Sequence, residues 1–176
     1  MPITVRTAHD CDAAELAAVA AATFPLACPP SADPADVEAT IAIALSAQRF
    51  AEYLADPERM ILVATDDGRI IGYTMLIRGI CDDPDVAAAV AQRPAVELSK
   101  MYVLANHHGG GASARLIQSG IAWAAESGAA ALWLGANRKN ERAQRFYRKH
   151  GFKITGARRF PLGESYEDDV VMVRPI

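Results

Sequence analysis

The stretch MYVLANHHGGGASARL, residues 101–116, carries a strand-like apolar run into two histidines, three glycines and two small residues. A helical pattern begins immediately afterwards. The first N–H groups of a helix have no internal partner, and the helix dipole favours negative charge there. With no side chains at Gly109, Gly110 and Gly111, a phosphate group can approach the main chain closely. A pyrophosphate cradle is one reading of these residues, and a flexible strand-to-helix turn is the other. No Gly-Lys-Ser/Thr follows, which excludes a Walker A loop. The segment GGGASA passes formally as a dinucleotide-binding G-x-G-x-x-A. However, it lies late in the chain, after a hairpin, and LWLGANRKN (132–140) brings no acidic residue to the next strand. His107 and His108 make a poor metal pair, because adjacent loop residues seldom converge and no third ligand is near. His107 is therefore read as a solvated loop residue, and no metal is expected.

A second segment, NERAQRFYRKHGF (140–152), sets an asparagine at a helix start, then Phe146-Tyr147, then His150-Gly151-Phe152. Together with the glycine loop, it resembles the GNAT superfamily of acyl-CoA-dependent N-acyltransferases. The likeness covers most of the chain in element order and is sharpest from Glu97 to Phe152. The family loop follows Q/R-x-x-G-x-G/A, and the matching residues are His108, Gly109, Gly110, Gly111, Ala112 and Ser113. Two of them depart, His108 standing for Gln/Arg and Ser113 for Gly/Ala.

The resemblance implies acetyl-CoA as co-substrate, its pyrophosphate held by N–H groups from 108 to 113. The pantetheine arm would lie like an added strand along the main chain of Met101, Tyr102 and Val103. Asn140 would touch the coenzyme arm, although a plain helix N-cap explains it as well. Tyr147 occupies the family's tyrosine position, as the acid at the coenzyme sulfur. A phenol pKa of ~10 against ~8.5 for a thiol makes hydrogen-bond stabilisation a safer role than full proton transfer. Core packing would also explain Tyr147. Glu97 matches a position where several members place a carboxylate facing the acceptor. Some base is needed, since an ammonium of pKa ~10 is only about 0.1% deprotonated at pH 7. A surface glutamate is the plainer alternative, and Tyr102 and Glu52 are further polar candidates.

These groups need elements to position them. ITVRTA (3–8) alternates like a strand, and Asp12 can cap a helix running to about residue 22. The proline-rich segment 24–36 reads as a loop delivering a helix over 35–46, with another at 47–55. MILVAT (60–65), the turn DDGR and IIGYTMLI (70–77) form an antiparallel hairpin. Residues 79–94 connect through a short helix to a strand over 95–104. A helix over 112–127, a strand over 130–136 and a helix over 140–149 follow, with Gly151 just past the last helix. Two strands within 152–174 close the chain. The expected class is α+β, an α/β sandwich. Its mixed, mostly antiparallel sheet carries helices on both faces, in one domain over residues 1–176. The resemblance adds that strands 95–104 and 130–136 splay apart.

The chain has 176 residues, 51% of them apolar, enough for a sizeable core. A formal net charge of −3 with no basic stripe argues against a nucleic-acid partner. Cys11, Cys28 and Cys81 have no metal or disulfide spacing and read as small buried or half-buried thiols of a reducing compartment. No apolar run reaches the ~20 residues needed to span a bilayer, and a cytoplasmic protein is expected. VELSKMYVL and FPLGESYEDDVVMVR, with Phe160, Gly163 and Asp169, are similar to a bacterial branch that includes polyamine (spermidine/spermine) acetyltransferases. Glu164, Glu167, Asp168 and Asp169 would form an acidic rim for a polycation. A small-molecule amine acceptor is thus the expected partner, and the family is compatible with a homodimer. Protein or peptide N-acetylation, a non-catalytic acyl-CoA-binding module and a nucleotide oxidoreductase are the rival readings.

Overall fold

The turn at 66–69 fixes the register from which the sheet grows. Asp67 and Gly68 both take positive φ, 50° and 77°, the type I′ geometry that matches strand twist. They join β2 (Arg59–Asp66) to β3 (Arg69–Arg78). This computed structural model describes residues 2–176. The other strands are β1 (Thr4–Thr7), β4 (Ala95–Val103), β5 (Ala131–Asn137), β6 (Lys153–Leu162) and β7 (Ser165–Pro175). Their order is β1-β2-β3-β4-β5-β7-β6, and only β4 and β5 run parallel. The helices are α1 (Ala13–Ala27), α2 (Pro34–Ala44), α3 (Ala47–Ala55), α4 (Pro84–Ala89), α5 (Ala112–Glu126) and α6 (Glu141–Lys149). The expected mixed α+β sheet with helices on both faces is what forms.

Alternation along the strands divides the core in two. Ile61 and Val63 of β2 face Leu16 and Val19 of α1 and Phe50 of α3. Their neighbours Leu62 and Ala64 point the other way, into a cluster with Leu116 and Ile117 of α5. Each such side chain contributes roughly 1.5–3 kcal/mol when fully buried. A third cluster sets Val86 of α4 against Trp133, Val171 and Val173.

One irregularity decides where the sheet opens. Met75 lies opposite Lys100, but Leu76 lies opposite Leu98, so Ser99 is an extra residue bulged out of β4. Beyond that point β4 turns away from β5. The two pair only from Ala95↔Ala131 to Glu97↔Trp133. Meanwhile β5 stays paired with β7 as far as Asn137↔Asp169. The splay implied by the resemblance is present, and the bulge is its physical origin.

Three expectations are corrected. Helix α1 runs on through Pro25 to Ala27, where a loop is expected from residue 24. A proline this close to the end removes a single ladder bond, and Thr23 Oγ1 donates to the Val19 carbonyl (2.7 Å) just before it. Asp12 does not cap α1. Its carboxylate turns back to accept from the His9 N–H (2.7 Å) and from Arg6 Nη1 (2.8 Å). Among the cysteines only Cys28 is half-buried, whereas Cys11 and Cys81 are exposed. Short helices put them there: Cys11 lies in the turn before α1, and Cys81 precedes α4.

Candidate active site

The open edge of β4 is built by backbone alternation. Leu104 N donates to the Ile71 carbonyl (2.8 Å), which makes Tyr102 and Tyr73 the next hydrogen-bonded pair. The main-chain groups of Tyr102 are therefore used within the sheet. Those of Met101 and Val103 face the gap left by β5. His108 Nε2 donates to the Val103 carbonyl (2.8 Å), so its ring braces the strand end and does not point into the loop.

The glycine loop leads from that strand end to α5. Gly109 and Gly111 have φ of 82° and 88°, conformations that favour glycine strongly. Two of the six N–H groups from 108 to 113 are used internally, His108 to Ala105 O (3.2 Å) and Gly110 to His107 O (3.3 Å). Those of Gly109, Gly111, Ala112 and Ser113 bond no carbonyl of the loop or helix among the described residues. They form an N-terminal cluster able to take an anion. The Ala112 side chain is turned into the core, leaving the hydroxyl of Ser113 on the open side. Gly111→Ala is expected to cost about 1–3 kcal/mol in urea unfolding, because alanine resists that φ. Gly110→Ala, whose Cβ would meet His107 O at 3.3 Å, should cost visibly less.

Opposite the loop stands α6. Asn140 Oδ1 accepts from Ala143 N (3.1 Å) and caps the helix, which leaves its amide hydrogens free. Gly151 at φ 90° ends the helix as expected, with Phe152 N bonded to the Tyr147 carbonyl (3.1 Å). Tyr147 is buried between Phe146 (5.5 Å) and Phe152 (5.7 Å), ring centroid to centroid. Its hydroxyl has no partner among the described residues and lines the cavity. Burial pushes its pKa up, so the phenol keeps its proton.

A cavity of 410 Å³ joins these parts through the gap between β4 and β5. Gly109, Ser113, Asn140 and Tyr147 line one end. Glu97, Lys100, Arg158, Glu167 and Asp169 line the other, under α1 and α2. The roof is tied down by polar contacts: Ser165 Oγ donates to Asp36 Oδ2 (2.8 Å), and Gly163 N donates to Thr40 Oγ1 (3.1 Å).

Three carboxylates and two cations share this end. Arg158 Nε donates to Asp169 Oδ2 (3.2 Å), and its Nη1 lies 3.9 Å from Glu97 Oε1. The Arg158 guanidinium also lies 5.6 Å from the Trp133 ring centroid, over Gly135, where a Cβ would collide with it. Burial pushes Glu97 above the ordinary carboxylate range, while Arg158, Lys100 and Arg59 pull it down. Asp169 is raised by burial in the same way, and Arg158 opposes it. Burial lowers the Lys100 ammonium to about 8, with Glu97 opposing. The arrangement offers a carboxylate of raised pKa, a neutral hydroxyl and an anion-binding helix start along one channel.

A family profile described as Acetyltransferase (GNAT) family matches residues 26–152. The chain belongs to that family. It is 56% identical over 165 residues to an uncharacterized N-acetyltransferase of Mycobacterium tuberculosis, covering 94% of this chain and 98% of that protein. The PaiA N-acetyltransferase of Thermoplasma acidophilum, solved in complex with coenzyme A, has a TM-score of 0.79 at 18% identity over 100% of both chains. The ribosomal-protein-S18-alanine N-acetyltransferase of Escherichia coli has a TM-score of 0.69 at 19% identity, covering 99% of this chain and 94% of that one. At these identities the two structures show the shared fold.

Within this GNAT chain the structure brings Glu97, Met101, Tyr102, Val103, His108, Gly109, Ser113, Asn140 and Tyr147 to a single cavity. Gly110, Gly111 and Ala112 shape the loop behind it. Sequence reasoning missed Lys100 and Arg158. A lysine three residues from Glu97 within a central strand was the available signal for Lys100. Arg158 had none, because its partner Asp169 is set by the β6–β7 register.

Proposed function

We propose that this chain transfers the acetyl group of acetyl-CoA to a primary amine of a small molecule. The observation that carries this reading is the single channel linking the free N–H cluster at α5, the Tyr147 hydroxyl and the Glu97 carboxylate. The N–H groups of Gly109, Gly111, Ala112 and Ser113 fit a pyrophosphate, and the Asn140 amide and Met101 main chain fit the coenzyme arm. Acetyl-CoA, when bound, supplies an activated acetyl thioester. Tyr147 holds its proton and offers it as a hydrogen bond where negative charge collects on the departing sulfur. Glu97 takes the proton that the acceptor must lose before its nitrogen can attack.

The acceptor end bears on the polyamine expectation. The four acidic tail residues do not form a continuous rim: Asp169 turns inward onto Arg158, and Asp168 and Glu164 face solvent. Glu167 alone lines the cavity without a salt bridge among the described residues, and it is the support for a cationic acceptor. A cytoplasmic setting belongs to the same proposal, and the three free thiols are compatible with it.

The deciding experiment follows free-thiol release from acetyl-CoA with spermidine, spermine, amino acids, aminoglycosides and short peptides, beside an amine-free blank. Release that depends on a small amine is the expected result. Release with peptides alone would redirect the proposal to protein N-acetylation. No release and no shift of melting temperature by acetyl-CoA would overturn it.

A further inference from the structure

The acceptor end of the cavity contains a cation that the protein leaves unsatisfied. Lys100 lies in the cavity wall one residue past the Ser99 bulge, yet its ammonium makes no hydrogen bond or ion pair among the described residues. The neighbouring charges do not resolve this. Arg158 takes up Asp169 directly and stands 3.9 Å from Glu97, and Arg59 is engaged with Asp56 (3.0 Å). Arg59 and Arg158 both disfavour the charged form of Lys100, and only Glu97 among its neighbours favours it. A recessed ammonium with three free donors, lining a cavity, is suited to an anionic or carbonyl partner. Three carboxylates line this end, but so do Lys100 and Arg158, so a polycation drawn in by the carboxylates would also meet two like charges.

We infer that the acceptor is an amine that also bears a carboxylate, with Lys100 binding the carboxylate while Glu97 faces the amine. This rests on the transferase reading above and names the substrate class it leaves open. Lys100 is a specificity residue on this account. It discriminates between molecules that differ only in their acidic group, as a site with a buried donor rejects the analogue lacking its partner.

The test compares matched acceptors: ω-amino acids from β-alanine to 6-aminohexanoate, lysine and ornithine, each beside its carboxamide, with cadaverine and putrescine as decarboxylated partners. Thiol release gives kcat/KM, and the shift of melting temperature by each compound, with acetyl-CoA absent, gives a separate binding readout. In the wild type at least one carboxylate member should exceed its amide by about 10- to 100-fold, the size of a charge-assisted hydrogen bond. Lys100→Met should bring that ratio toward one through KM, and Lys100→Arg should retain part of it. Carboxylate-dependent stabilisation should vanish in Lys100→Met and survive in Lys100→Arg, which also excludes simple misfolding.

Diamines or amides turned over as well as the carboxylates, or Lys100→Met altering both members alike, would overturn the proposal. Absence of thiol release from every amine counts against the transferase reading. The melting-temperature difference between carboxylate and amide then still decides whether Lys100 binds the anion.

Discussion

Tyr147→Phe is expected to lower kcat by about 100- to 1,000-fold, the usual effect of removing one donor aimed at developing charge. The hydroxyl is deeply placed and unpartnered, so no internal hydrogen bond is lost with it. The ring still packs between Phe146 and Phe152. Melting temperature should therefore hold while turnover falls. Steady-state thiol release, with acetyl-CoA binding measured in parallel, separates the two effects. A core role alone would predict the opposite pattern, lower stability with little change in rate. Because burial raises the phenol's pKa, no alkaline loss from its ionisation is expected in the ordinary assay range.

Glu97→Gln is expected to reduce kcat by about 100- to 10,000-fold, the range for a general base. The carboxylate must be ionised to accept a proton, so wild-type activity falls as pH drops through the Glu97 pKa. Burial places that limb above the ordinary carboxylate value of ~4.3, even with Arg158, Lys100 and Arg59 pulling the other way. In Glu97→Gln the limb should disappear from the pH profile of whatever activity remains. Stability has its own sign. A carboxylate whose native pKa is raised contributes stability that is complete below its unfolded pKa and lost as pH rises through the native value. Glutamine removes that loss, so the variant should melt at or above the wild type near neutral pH. A drop in melting temperature would instead mean that the contact with Arg158, at 3.9 Å, dominates.

The glycine loop and α6 were legible because local geometry determines them. Positive φ at 109 and 111, a cap at Asn140 and a terminator at Gly151 are short-range requirements that leave residue-type signatures. The hairpin at 66–69 was legible for the same reason. The roles within the loop were less so. His108 is turned onto the Val103 carbonyl and two N–H groups close internal turns, facts that depend on how the strand end meets the helix. The continuation of α1 through Pro25 was hidden too, because tertiary packing of Phe24 outweighs the local cost of the proline.

By itself, the sequence determined a mixed α+β sheet with a glycine-rich strand-to-helix turn and a tyrosine on the helix over 140–149. Those features repeat at periods of two or about 3.6 residues, or occupy fixed offsets within one turn. Only the tertiary structure decided the charged end of the cavity. The Ser99 bulge opens β4 from β5, the β6–β7 register sets Arg158 against Asp169, and Gly135 leaves room for the guanidinium. These residues lie far apart in the chain, and their charges acquire chemical meaning only where burial and neighbours act on them together.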